Sequence, residues 1–142
     1  MKRSRSKLKF TKSPEIKRRL KSLSLSLGLS WVKHSRVFAY SSTGSKTRAY
    51  ARTWGLPRLW QTSLETEPAY IIEVISEHFN KLSPKDQDKV LLHELNHIPK
   101  NFSGALLPHT HRRKGSFRDK LRKLYEENYR ETKEQCFCLE NS

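Results

Sequence analysis

Apolar residues recur along this chain with two different periods, and the switches between them mark out the elements. The clearest helical segment follows Ser83-Pro84, a pair that reads as N-cap and first helical residue, with Asp86 where a capping box wants a carboxylate. Val90, Leu91, Leu92, Leu95 and Ile98 then repeat at helical spacing, and Pro99 closes the segment. An earlier helix begins the same way at Ser13-Pro14. Its apolar positions are Ile16, Leu20, Leu23, Leu25 and Leu27, and Gly28 ends it. Pro68-Ala69-Tyr70-Ile71-Ile72-Glu73-Val74-Ile75 is almost uninterruptedly apolar and rich in β-branched residues, the composition of a well-covered strand. Val37–Tyr40 reads as a shorter strand, closed by a Ser41–Ser45 loop. Phe117, Leu121, Leu124 and Tyr125 mark a C-terminal helix with a charged outer face.

Between these elements, residues 49–64 carry Tyr50, Trp54 and Trp60 around a Gly55-Leu56-Pro57 break. Large aromatics usually fill the core of a small domain, and that is the expectation here over stacking on bases. The pattern gives both helices and strands, without internal repeats. At 142 residues, 35% of them hydrophobic, the chain is long enough for one modest core. The expected organisation is a basic flexible arm over 1–12, a domain over 13–135 and a short tail over 136–142.

Charge changes the picture more than composition does. Residues 1–50 hold 14 Lys and Arg against a single acid, Glu15, so most of the net +15 lies in the N-terminal third. Clusters such as Lys2–Lys7 and Lys17-Arg18-Arg19 suit sequence-independent contact with a phosphate backbone. No base-reading motif accompanies them. No apolar run approaches the length needed to cross a membrane, and the basic N-terminus has no apolar signal core. The expectation is a cytoplasmic monomer, in a prokaryotic cell or a virus-infected host. Cys136 and Cys138, one residue apart, read as free thiols.

The candidate chemistry is His93-Glu94-Leu95-Asn96-His97. Four residues apart on a helix, His93 and His97 project from one face and can share a metal ion. Glu94 stands beside them, suited to taking a proton from water rather than to ligation. A catalytic zinc needs a third protein ligand, and Pro108-His109-Thr110-His111 offers His109 or His111 after a turn eased by Gly104. The implied reaction is hydrolysis of a peptide substrate with Zn²⁺ as cofactor and Glu94 as general base. The strand over 69–75 is the expected sheet element beside which an extended substrate lies. The competing reading is a non-specific nucleic-acid-binding module whose zinc site is structural or vestigial.

Three blocks in the span from Ala51 to His109 resemble a metallopeptidase family found in archaea and phages. They are Trp54-Gly55-Leu56-Pro57-Arg58-Leu59-Trp60-Gln61, Tyr70–Glu77, and His93 through Gly104 to Pro108-His109. The last block is far more specific than the five-residue motif alone. More distantly the chain is similar to SprT-like zincins, in which a Pro-His after the helix supplies the third ligand. The resemblance implies a zincin-like α+β fold, a small mixed or antiparallel sheet packed on the motif helix, with flanking N- and C-terminal helices. It also implies His93, His97 and His109 as metal ligands, favouring His109 over His111.

Overall fold

The computed structural model describes residues 7–108, together with Lys123 and Glu126. Among the described residues, four strands and four α-helices follow one another along the chain. They are β1 (Lys9–Lys12), α1 (Pro14–Ser26), β2 (Val37–Thr43), β3 (Ala51–Gly55), α2 (Arg58–Leu64), β4 (Tyr70–Ile75), α3 (Ser76–Phe79) and α4 (Pro84–Leu95), with a 3₁₀ turn at His34–Arg36 before β2. The strands form one mixed sheet in the order β1-β2-β4-β3, in which β2 and β4 run parallel and the other two pairings are antiparallel. The α+β class and the mixed sheet are therefore as the resemblance implied.

Both expected caps form. Ser13 accepts a hydrogen bond from the amide of Ile16 at 3.4 Å, and Ser83 accepts one from Asp86 at 3.3 Å, with proline as the first helical residue in each case. Helices α1 and α4 lie together on one face of the sheet. Ile16, Leu20 and Leu23 of α1 and Leu91, Leu92 and Leu95 of α4 share a buried cluster with Val37, Ala39, Ala51, Tyr70, Ile72 and Val74. Fully burying an aliphatic side chain contributes about 1.5–3 kcal/mol, so this layer supplies most of the driving force. At its rim Arg19 binds Asp88 at 2.7 Å and Gln87 at 2.8 Å, tying α1 to α4. β4 sits between β2 and β3, and all of its residues except Ile71 are buried, in keeping with its nearly continuous apolar sequence.

Several expectations need correction. Lys9–Lys12, at the end of the presumed flexible arm, form β1 because their backbone groups complete the edge of β2; the strand is exposed along its whole length, so hydropathy gives no sign of it. Ser41, Ser42 and Thr43 belong to β2 rather than to a loop, since they pair with β1 on one side and partly with β4 on the other. Strand β3 and helix α2 have no clear periodicity and arise from tertiary pairing. Tyr50, Trp54 and Trp60 are each about half exposed (48%, 49% and 58%), so they do not fill the core. The residues on which the C-terminal helix rests, Phe117, Leu121, Leu124 and Tyr125, lie outside the described set, as do residues 1–6, His109, His111, Cys136 and Cys138. Among the described residues no helix is long and apolar enough to cross a membrane.

After α4 the chain returns across the sheet end through residues 99–108. This return is held by an unusually close backbone approach. Gly104 has φ +95° and Phe102 has φ +48°, the latter costly for a bulky side chain and sustained by its burial edge-on against Tyr70, 4.9 Å between rings. The Tyr70 hydroxyl accepts from the Gly104 amide at 2.8 Å and donates to the Ala105 carbonyl at 2.7 Å. Gln61 Nε2 donates to the carbonyls of Leu56 and Ser103, at 2.7 and 2.9 Å. A Cβ built on Gly55 would run into the Gly104 carbonyl, and one built on Gly104 would meet Leu56 and Gln61. Gly55→Ala is therefore expected to cost about 2–3 kcal/mol of stability, because backbone on both sides must move. Urea unfolding checks it, and a midpoint equal to wild type would refute the close packing.

Candidate metal centre

Helix α4 carries the motif, but it ends sooner than its sequence suggests. The last helical residue is Leu95, and His97 sits in the turn that follows. There the backbone bonds tighten to three-residue steps: His97 N–H donates to Glu94 O and Ile98 N–H to Leu95 O, both at 3.1 Å. Pro99 two residues on forbids an extension of the helix. The geometry survives the early ending. The His93 and His97 rings are 5.1 Å apart, and one donor atom from each of His93, Glu94 and His97 lies within 4.8 Å of the others.

His97 is almost fully buried, at 8% exposure, and its ring is oriented by the returning chain. Its Nδ1 lies 2.7 Å from the carbonyl oxygen of Leu107. A carbonyl can only accept, so Nδ1 carries the hydrogen and Nε2 is the ring nitrogen left to act as a metal ligand. A neutral imidazole whose second nitrogen donates to a carbonyl is the outer arrangement that metal-binding histidines use. The Leu107 amide also donates to the His97 carbonyl at 2.8 Å, so Leu107 grips His97 through both of its backbone groups. This places the described end of the return loop, Pro108, next to the histidine pair. His93 is half-buried and faces a cleft of about 370 Å³ lined by Tyr50, Ala51, Lys89, Val90, His93 and Glu94.

Glu94, only 7% exposed, points across to β3. Thr53 Oγ1 lies 2.6 Å from its Oε2 and 3.1 Å from its backbone carbonyl. Burial pushes the Glu94 carboxyl above the usual carboxylate range, while the Thr53 hydrogen bond and the nearby His97 pull it down. The structure thus brings together three of the four site residues expected from sequence, while the fourth, His109, follows directly on Pro108 outside the described set. It adds three residues that sequence reasoning misses. Thr53 and Leu107 act through hydrogen bonds between distant segments, which no local spacing reports. Tyr70, read as part of an apolar strand, has a phenolic hydroxyl that anchors the return loop.

The donor set suits a metal. Two imidazoles converge with a carboxylate beside them, and the Leu107 carbonyl holds Nδ1 of His97 as a donor. No curated protein and no solved structure matches the chain. The family model described as "Putative phage metallopeptidase" matches residues 8–131, a span that contains the whole sheet, α1 to α4 and the His-Glu-His cluster. With that much of its length matched, and with a metal-competent cluster in the place the chemistry requires, the chain belongs to this metallopeptidase family.

Proposed function

We propose that the chain is a zinc-dependent peptidase in which His93, His97 and His109 hold the ion and Glu94 is the general base. The observation that carries this reading is the buried Glu94 carboxylate, fixed by Thr53 beside two converging imidazoles. The grip of Leu107 on His97, two residues ahead of His109, supports His109 rather than His111 as the third ligand. Bound zinc supplies Lewis acidity, which acidifies water and polarises the scissile carbonyl. Thr53 occupies Oε2 of Glu94 and leaves Oε1 for proton transfer. Glu94 then takes the proton of the attacking water and hands it to the departing amine.

The sheet edge supports a peptide as substrate. β4 is paired on both sides, so the strand over 69–75 cannot receive one, contrary to the simplest expectation from sequence. β3 is the edge. Ile75 N–H donates to Tyr50 O and Leu56 N–H to Ala69 O, so by antiparallel alternation Arg52 and Trp54 bond to β4. Ala51 and Thr53 consequently turn their backbone groups outward, beside the cleft at His93 and Glu94. An extended peptide pairing there would lie across the site. The basic N-terminal third supports a second, separable property, sequence-independent nucleic-acid binding.

Purified protein is expected to hold one zinc per chain after reconstitution, and His93→Ala or His97→Ala to lose it. His109→Ala should weaken binding severely and His111→Ala mildly. Elemental analysis reads all four, and the reverse ranking of the last two would move the third ligand. Glu94→Gln should retain zinc yet lower cleavage of an unfolded protein such as casein at least about 100-fold. Undiminished cleavage would remove Glu94 from the role of base. Thr53→Val should keep the zinc and lower kcat roughly 10- to 100-fold, with Thr53→Ser restoring most of it. If valine and serine behave alike, the hydroxyl does not position Glu94.

A further inference from the structure

The face of the sheet turned away from α1 and α4 is built quite unlike its partner. Cross-strand register places Phe38, Ile71 and Trp54 in one row over β2, β4 and β3, and all three are exposed, at 38%, 38% and 49%. Phe10 of β1 adds a fourth exposed apolar side chain on the same face. The next row holds Lys12, Tyr40, Glu73 and Arg52. A contiguous exposed apolar row of this kind on a small, strongly charged protein marks a contact surface.

Two features specify what it contacts. Trp54 is exposed but not loose. Its Nε1 donates to Glu73 Oε1 at 2.9 Å, and Arg52 reaches the other oxygen of the same carboxylate at 3.4 Å. Glu73 is 1% exposed, and burying a carboxylate is costly unless its oxygens are matched. Here the buried charge ties down the indole nitrogen, so the ring stays at the surface in a fixed pose instead of folding under. The second feature is the positive charge beside each ring. The Arg52 guanidinium is 5.2 Å from the Trp54 ring, and Lys17 and Arg36 are 5.3 and 6.0 Å from the Phe38 ring. Lys17 and Arg36 are bonded to backbone carbonyls and contribute field, whereas Lys12 is exposed on β1. Glu73 is the only acid on the four strands, and it is sequestered.

We propose that this face is a stacking platform for single-stranded nucleic acid, with Phe38 and Trp54 receiving bases and Lys12 and Arg52 meeting phosphates. It rests on the nucleic-acid reading above and is independent of the peptidase reading. Fixed aromatic rings among cations suit a polyanion with exposed base faces, and only an unpaired strand offers them. With strands about 4.8 Å apart, Phe38 and Trp54 are roughly 10 Å apart. That is roughly the rise of three stacked nucleotides.

The test is fluorescence anisotropy of a labelled oligo-dT of about 20 nucleotides, and of a duplex of the same length, with the full chain at low salt. Oligo-dT should bind more tightly than duplex. Trp54→Ala and Phe38→Ala should each weaken oligo-dT binding roughly 5- to 150-fold while changing duplex binding little. Trp54→Phe should recover most of the affinity, and Trp60→Ala, on α2 rather than on the sheet, should leave it unchanged. If oligo-dT binds but neither Trp54→Ala nor Phe38→Ala affects it, the platform is overturned and the basic region alone does the binding. If neither probe binds, the platform and the nucleic-acid reading fall together. Sedimentation showing a dimer that Trp54→Ala dissociates would assign the face to a second copy of the chain instead.

Discussion

The double hydrogen bond between His97 and Leu107 is the constraint on which the site depends. Because α4 ends at Leu95, no regular helix holds His97 in place, and its ring direction must be fixed from outside. The Leu107 carbonyl fixes the tautomer and the Leu107 amide fixes the turn. Leu107 in turn can reach His97 only if the return loop closes tightly. That closure is set by the bare Cα positions of Gly55 and Gly104 and by the Tyr70 hydroxyl shared between Gly104 and Ala105. The three segments carrying the family resemblance therefore meet at one place, and each supplies something the others lack.

The second side of the site is built from the sheet. Thr53 lies on β3, which has one strand neighbour among the described residues, and from there it holds the Glu94 carboxylate in an environment that disfavours its charge. The same strand offers Trp54 to the opposite face, since successive residues alternate sides. β3 thus serves two surfaces at once: Ala51 and Thr53 face the helices and the cleft, while Arg52 and Trp54 face outward over Glu73. The membership of the chain in a metallopeptidase family concerns the first surface, and the charge of its N-terminal third bears on the second.

Sequence alone determined the elements whose signals are local. Ser13-Pro14 and Ser83-Pro84 start their helices because a side-chain cap and a preset φ act within one turn, and Tyr70–Ile75 reads as a strand because its run is almost wholly apolar, all of it buried but Ile71. The spacing of His93, Glu94 and His97 likewise foretells that the three cluster, since a single turn of backbone brings them together. Tertiary structure decided what depends on pairing between distant segments. β1 and β3 exist because β2 and β4 offer them backbone partners, not because Lys9–Lys12 or Ala51–Gly55 show an apolar alternation. Trp54 is on the surface because Glu73, 19 positions later, captures its indole nitrogen, and hydropathy alone would bury it. Thr53 and Leu107 acquire their roles only when β3 and the return loop close around the end of α4, because a hydrogen bond between segments leaves no periodic trace in either one.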